Sequence, residues 1–364
     1  MTQKNTSLLP NGLKDLLPPE AEKESHIINL LMQEFSKFGY DRVKPPLVEF
    51  EESLLAPGPG QALATNTFRL MDPVSQKMMG LRADTTAQIA RIAKSRLSDV
   101  PRPLRLSYAA DVLKVNGTQL RSERQFCQVG CEMIGIEQPQ DDVEICLTAL
   151  CALQKIGVTG LSIDLTIPAL IDDLFDAHDV DNETREDLTK LLQKRDRDGL
   201  NAMSANMSGD IAKCFVGLLD ASGVASEAVS LIDRLDIPET GQSKVALLKE
   251  VYHSLSDTLS LYGLDDINIT MDLIERRGFD YQNGISFTLF SSHVQGELGR
   301  GGRYQVVDGR DQNASGFTLY MDSVLQATDL HPKTNKKYVD SNMSWDEIKK
   351  LQDAGYQVSR KTKK

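Results

Sequence analysis

Long apolar runs, paired cysteines and clustered histidines are all missing from this 364-residue chain. No stretch approaches the ~20 apolar residues that a membrane span needs. Residues 1–7 are not followed by the apolar core of a signal peptide, so a cytoplasmic protein with no membrane partner is expected. The five cysteines, Cys127, Cys131, Cys146, Cys151 and Cys214, contain no CxxC pair and have no histidine cluster beside them. That spacing disfavours a zinc site and favours reduced, buried thiols. No P-loop, GxGxxG or GxSxG occurs, which removes the common signatures of a phosphate cradle, a dinucleotide fold and a serine hydrolase. Positive charge is also scarce: 41 Lys and Arg stand against 52 Asp and Glu, a formal net charge of −11. A broad phosphate-binding surface is therefore not expected, nor a nucleic-acid partner. The basic tail from Arg360 to Lys364 reads as a solvated, frayed end.

Hydrophobic residues at 40% and charged residues at 26% are ordinary for a globular chain long enough for two or three domains. After Pro18-Pro19, the apolar set Ile27, Ile28, Leu31, Met32, Phe35 and Phe38 has helical spacing, and Gly39 ends it. Residues 42–50 are strand-like but contain Pro45-Pro46, which places them at a sheet edge or an interface. Residues 56–65 read as a loop, 68–71 and 77–82 as a hairpin, and Thr85 to Gln88 as a capping box opening a helix. Strands follow at 104–108, 112–115, 124–136 and 162–167, with a helix at 143–155.

From 168 to 263 the periodicity is almost wholly helical, with segments at 182–193, 208–219, 226–235 and 242–262; strands return at 267–273, 285–290 and 315–320. The simplest architecture is α+β: one antiparallel sheet with flanking helices, built from both sides of a helical insertion. The expected division is 1–167 and 264–325 for the two parts of the sheet domain and 168–263 for the insertion. Residues 326–364 form a short C-terminal segment, too short for a further domain, with one helix announced by Ser344-Trp345-Asp346-Glu347.

The stretch Glu275-Arg276-Arg277-Gly278-Phe279-Asp280-Tyr281, with Gly299-Arg300-Gly301-Gly302-Arg303-Tyr304, reads as an amino-acid-sized pocket. Arginines offer forked donors to a carboxylate, glycines admit close approach, and tyrosines give flat walls with a polar end. Alternation along 125–133 puts Phe126, Gln128, Gly130 and Glu132 on one strand face, either a pocket wall or a polar solvent-facing surface. Asp84 and Thr86 open a helix, where capping alone would explain them.

These segments resemble, in order, those of histidyl-tRNA synthetases and their paralogues. Leu9 to Pro18 is similar to the family's N-terminal segment, and Gly39 to Glu49 to its dimer-forming motif 1. Leu81 to Thr86, Arg124 to Glu132, Arg276 to Tyr281 and Gly301 to Tyr304 resemble its histidine-reading segments. The resemblance implies a class II aminoacyl-tRNA synthetase-like fold and a histidine site: Asp84, Thr86 and Gln128 at the α-amino group, Glu132 at the imidazole, Arg277 at the carboxylate, Tyr281 and Tyr304 around the ring. Two positions depart from it: the family's glutamate is Asp84, and its second tyrosine is Gln282.

The nucleotide side departs further. The motif 2 arginine and glutamate are Lys114 and Asn116; the motif 3 glutamate and arginine are Asp322 and Ser323, with Tyr320 at a glycine position. Adenylation depends on positioning and charge stabilisation, so it should be lost. Among the paralogues, this pattern is similar to the regulatory subunits of short-form ATP phosphoribosyltransferase. That implies a non-catalytic chain that joins a separate catalytic subunit, activates it and confers feedback by L-histidine. It also implies a dimer as the building block of a hetero-oligomer, no cofactor in this chain, and Mg2+ only in the partner's active site. A truncated histidyl-tRNA synthetase-like amino-acid ligase is the enzymatic alternative, and an RNA-binding module a third.

Overall fold

The computed structural model describes residues 8–118, 121–204, 209–276, 281–306 and 311–361, with only the backbone described for 204, 209, 210 and 212. In chain order the elements begin with α1 (Glu20–Lys37), β1 (Asp41–Arg42), β2 (Val48–Phe50), α2 (Glu51–Leu54), β3 (Arg69–Met71), β4 (Met78–Leu81), α3 (Thr86–Ser95), β5 (Leu104–Leu113), β6 (Gln125–Ile134), α4 (Pro139–Lys155) and β7 (Leu161–Thr166). Then come α5 (Ala169–Ala177), α6 (Asn182–Lys194), α7 (Arg197–Ser204), α8 (Gly209–Asp220), β8 (Gly223–Val224), α9 (Ala225–Ile232), α10 (Glu239–Leu259) and β9 (Asn268–Met271). The chain continues with β10 (Gln282–Ser291), β11 (Glu297–Val306), β12 (Gln312–Tyr320), α11 (Met321–Val324), β13 (Lys336–Val339), α12 (Trp345–Asp353) and β14 (Gln357–Arg360).

Among the described residues the main sheet runs β1-β5-β6-β12-β11-β10-β7-β9-β8. Its centre, β5 to β7 in that order, is antiparallel throughout. The pairs β1·β5 and β7·β9 near the edges are parallel, so the sheet is mixed rather than purely antiparallel. Pro45 and Pro46 split the expected strand at 42–50 into β1, at the edge of this sheet, and β2, at the edge of a small sheet ordered β2-β4-β3. Proline has no N–H for a ladder, so both pieces stay at edges.

Alternation along β6 explains where the core and the site lie. Cys127, Val129, Cys131 and Met133 are buried in the large core shared with Ile27, Leu31 and Phe35 of α1 and with α4. Each such aliphatic side chain contributes roughly 1.5–3 kcal/mol by leaving water. On the opposite face, Ile89, Ala90 and Ala93 of α3 pack with Leu104, Leu106, Tyr108 and Tyr304.

Three local expectations are corrected. The strands at 104–108 and 112–115 are the single ten-residue β5. Gly299 to Tyr304, read as a binding motif, is also part of a full strand, β11. Thr85 makes no side-chain cap for α3; its hydroxyl goes to Gln128 instead. By contrast, Ser344 and Glu347 form the reciprocal capping box of α12. The C-terminal helix is flanked by β13 and β14, a parallel pair too short to announce itself in the sequence.

Candidate functional site

A cavity of about 570 Å³ opens on the α3 face of the sheet, within the range of small-ligand sites. Asp84, Thr86, Glu132, Tyr281 and Tyr304 all line it, brought together from the α3 start, β6, the β10 approach and β11. Gln128 is not on the wall. It is fully buried one layer behind, donating from Nε2 to Asp84 Oδ2 at 2.8 Å and accepting from the Thr85 N–H and hydroxyl at 2.9 Å. It therefore orients Asp84 in this structure. Arg277, the expected carboxylate contact, lies outside the described residues.

Glu132 is the deepest charged group of the site. Thr86 Oγ1 donates to its Oε1 at 2.9 Å, Tyr304 donates to Oε2 at 2.9 Å, and Tyr108 sits at 3.4 Å from Oε1. Those hydroxyls favour the carboxylate, yet burial outweighs them and pushes its pKa up to about 8. Gly316 faces Glu132 across the β6–β12 ladder. A Cβ there would fall on Glu132 Oε2 and lie 2.6 Å from Cys131 O, so only glycine leaves the carboxylate its place. Gln282, at the departure from the family's second tyrosine, also lines the cavity, and its buried Oε1 has no hydrogen-bond partner among the described residues.

The far end of the cavity is lined by Lys114, Asn116, Arg121, Phe126, Arg300, Tyr320 and Ser323. Arg121 lies across it. Its Nε donates to Asp322 Oδ2 at 2.7 Å and its Nη2 to Ser323 Oγ at 3.1 Å. The guanidinium centre is 4.0 Å from the Tyr320 ring and 5.0 Å from the Phe126 ring. A planar cation stacked on aromatic faces is a stable arrangement. The chain's own arginine thus occupies the aromatic slot at this end. Arg121 lies between the strands expected at 112–115 and 124–136, and only the meeting of that segment with the residues after β12 gives it this seat. Among the described residues no cluster of His, Cys, Asp and Glu could hold a metal ion.

The profile of the family described as histidyl-tRNA synthetase matches residues 12–324. The chain is 46% identical to the ATP phosphoribosyltransferase regulatory subunit of Rhodospirillum centenum over 352 residues, 97% of this chain and 88% of that one. It is 47% identical to the protein of the same name from Paramagnetospirillum magneticum, over 89% of this chain and 82% of the relative. This chain belongs to the ATP phosphoribosyltransferase regulatory subunit family.

Solved structures place that family on the synthetase fold. A Bacillus halodurans protein described as ATP phosphoribosyltransferase regulatory subunit/histidyl-tRNA synthetase superposes with a TM-score of 0.83 at 22% identity, covering 99% of this chain and 94% of that one. Histidyl-tRNA synthetase from Nostoc sp. superposes with a TM-score of 0.78 at 16% identity, covering 99% and 87%. At such identities the likeness speaks for the fold, a class II synthetase-like α+β domain, and not for the chemistry. The regulatory-subunit relatives are named for regulation of a transferase rather than for its catalysis. No helix among the described residues is long and apolar enough to cross a membrane.

Proposed function

We propose that this regulatory-subunit chain assembles with the short catalytic subunit of ATP phosphoribosyltransferase, the first enzyme of histidine biosynthesis, activates it, and makes it responsive to L-histidine. The observation that carries this reading is the asymmetry of one cavity. At one end the half-buried Asp84 and the buried Thr86, Glu132 and Tyr304 form a connected polar set of amino-acid size; at the other Arg121, held by Asp322 and Ser323, fills the aromatic slot. A pocket that keeps its amino-acid end while its own arginine fills the other is suited to sensing an amino acid, not to adenylating it.

In this reading the imidazole meets Glu132 and Tyr304, and the α-ammonium meets Asp84, which Gln128 holds in place. Tyr281 packs edge-on to Tyr304, ring centres 5.8 Å apart, closing the ring's side of the pocket. Arg277 completes the set toward the carboxylate. No cofactor is needed in this chain; Mg2+ would serve the phosphoribosyl chemistry in the partner. Histidine acts by binding two states of the assembly unequally, and a coupling of ~1–3 kcal/mol suffices. The helices between β7 and β9 form an insertion in the sheet domain. The small sheet of β2, β3 and β4 exposes Phe50 and Leu70 on one face and Met71 and Met78 on the other, and these exposed apolar side chains suit a second copy of the chain.

The test is phosphoribosyl-ATP formation by a short catalytic subunit with and without this chain, titrated with histidine. Activation together with histidine inhibition that weakens in Glu132→Ala is expected. Absence of any effect on that enzyme would overturn the reading, and ATP–pyrophosphate exchange with histidine by the chain alone would replace it with the ligase alternative.

A further inference from the structure

The two edges of the main sheet are built differently. At one, β1 is the exposed pair Asp41-Arg42, and Pro45-Pro46 follow it. Charge and proline keep a strand edge from pairing with another chain. At the other edge, β8 pairs only Gly223 and Val224 with Met271 and Thr270 of β9. The next rung of that ladder would set Ala225 against Ile269, but Ala225 already begins α9. Among the described residues, Asn268 and Ile269 therefore have no strand on their outer side. The stretch Ile267-Asn268-Ile269-Thr270 holds neither charge nor proline.

A second cavity, of about 580 Å³, lies along this open edge. Its lining takes Asn268 and Thr270 from one face of β9 and Ile267 and Ile269 from the other. A space reached from both faces of a strand lies beside its edge. On the α10 side, Tyr252 and Leu259 join Ile269 in a mainly apolar wall continuous with the large core. Val224, 55% exposed, lines the groove where β8 stops. Asp265 stands where the chain enters β9. It accepts a hydrogen bond from Ser260 at 2.6 Å and has no ion pair among the described residues. No Lys, Arg or His lines the groove beside it.

An uncovered strand edge offers main-chain pairing, and walls that differ on its two sides select alternate side chains. The Asp265 carboxylate adds a place for a cation. We infer that this groove receives an extended segment of the catalytic subunit, apolar at alternate positions and bearing a Lys or Arg beside Asp265, which adds a strand to the sheet at β9. The inference rests on the assembly reading above and gives that assembly a surface. In the sheet, β9, β7, β10 and β11 are successive neighbours, and Gln282 of β10 and Tyr304 of β11 line the histidine cavity. Partner and effector thus meet one hydrogen-bonded sheet at separate places.

The test is calorimetric titration of the full chain with a short catalytic subunit, using the wild type, Ser256→Arg, which fills the groove from an exposed position on α10, and Asp265→Lys. Each variant is expected to weaken binding by roughly tenfold or more. The unfolding midpoint should be unchanged and the chain's affinity for histidine should stay within about twofold. Hydrogen exchange of the wild type should slow over residues 264–272 when the catalytic subunit is added. Undiminished binding by both variants, or no slowing at 264–272 in a complex that does form, overturns the groove assignment alone. Failure of the wild type to bind the catalytic subunit overturns the assembly reading and this assignment with it. Slowing at 264–272 that instead rises with the concentration of the chain alone makes the occupant a second copy, and the assignment to the catalytic subunit is then wrong.

Discussion

Glu132 receives hydroxyl donors from Thr86, Tyr304 and Tyr108, yet burial holds its pKa near 8. In the unfolded chain the same group titrates near 4.5. Between those values the folded protein binds the extra proton, so stability is full below about pH 4.5 and falls as pH rises through about 8. Glu132→Gln keeps the shape without the titration. Its urea-unfolding free energy should therefore vary less than the wild type's between about pH 5 and pH 8, and a parallel pH dependence in the two proteins would refute this. Arg121 obeys the opposite logic, being a fully committed cation. Arg121→Ala strands a carboxylate at Asp322, whose Oδ1 already lacks a partner among the described residues, and should destabilise the fold by ~1–3 kcal/mol in denaturant titration. It should not confer pyrophosphate exchange, because Lys114 and Ser323 would still stand where the synthetase motifs have arginine.

Between elements, one ion pair ties the site strand to the helix behind it. Arg303 of β11 donates from Nη2 to Asp142 Oδ2 of α4 at 2.7 Å and to Gln138 O at 2.9 Å. Asp142 is 1% exposed, and burial raises its pKa even beside the guanidinium. Arg303→Met should cost ~3–5 kcal/mol by leaving that carboxyl unpaired, read as a lowered unfolding midpoint. Asp142→Asn combined with Arg303→Met should recover part of the loss. The contact between β6 and β12 is equally strict. In Gly316→Ala the new methyl would meet Glu132 and the Cys131 carbonyl, and the paired strands leave it no room to shift. A loss of roughly 1–3 kcal/mol of stability is expected, together with loss of histidine inhibition in the assembled enzyme. The sequence displayed Arg303 only as a member of a motif and Gly316 only as part of the strand expected at 315–320. That one is a strut and the other a spacer follows from strand pairing, which brings residues 161 and 184 positions apart into contact.

At the level of the molecule, the exposed apolar side chains of the small sheet and the acidic charge of the chain favour assembly through burial rather than through charge. Met71→Asp places a charge at the end of β3, on a side chain that is 63% exposed in the chain alone. It should convert a dimer to a monomer in sedimentation velocity, whereas a dimer unaffected by Met71→Asp and Leu70→Asp would place the contact elsewhere. Under the proposed reading, activation of the catalytic subunit by assembly should survive Glu132→Ala while histidine inhibition weakens; loss of both in one variant would place assembly and sensing on one surface.

Much of the fold was legible because local chemistry decided it. The 3.6-residue spacing of Ile27, Leu31 and Phe35, the alternation of Cys127, Val129, Cys131 and Met133, and the Ser344–Glu347 box each specify an element without help from distant residues. The motif order likewise named Asp84, Thr86, Glu132, Tyr281 and Tyr304, which the fold gathers around one cavity. Tertiary structure decided the rest. It moved Gln128 behind Asp84, turned Thr85 from a cap into a partner of Gln128, and laid Arg121 across the aromatic slot. Each of these depends on which polar groups meet after burial, and the cost of burying an unpaired group is set by neighbours far away in the sequence.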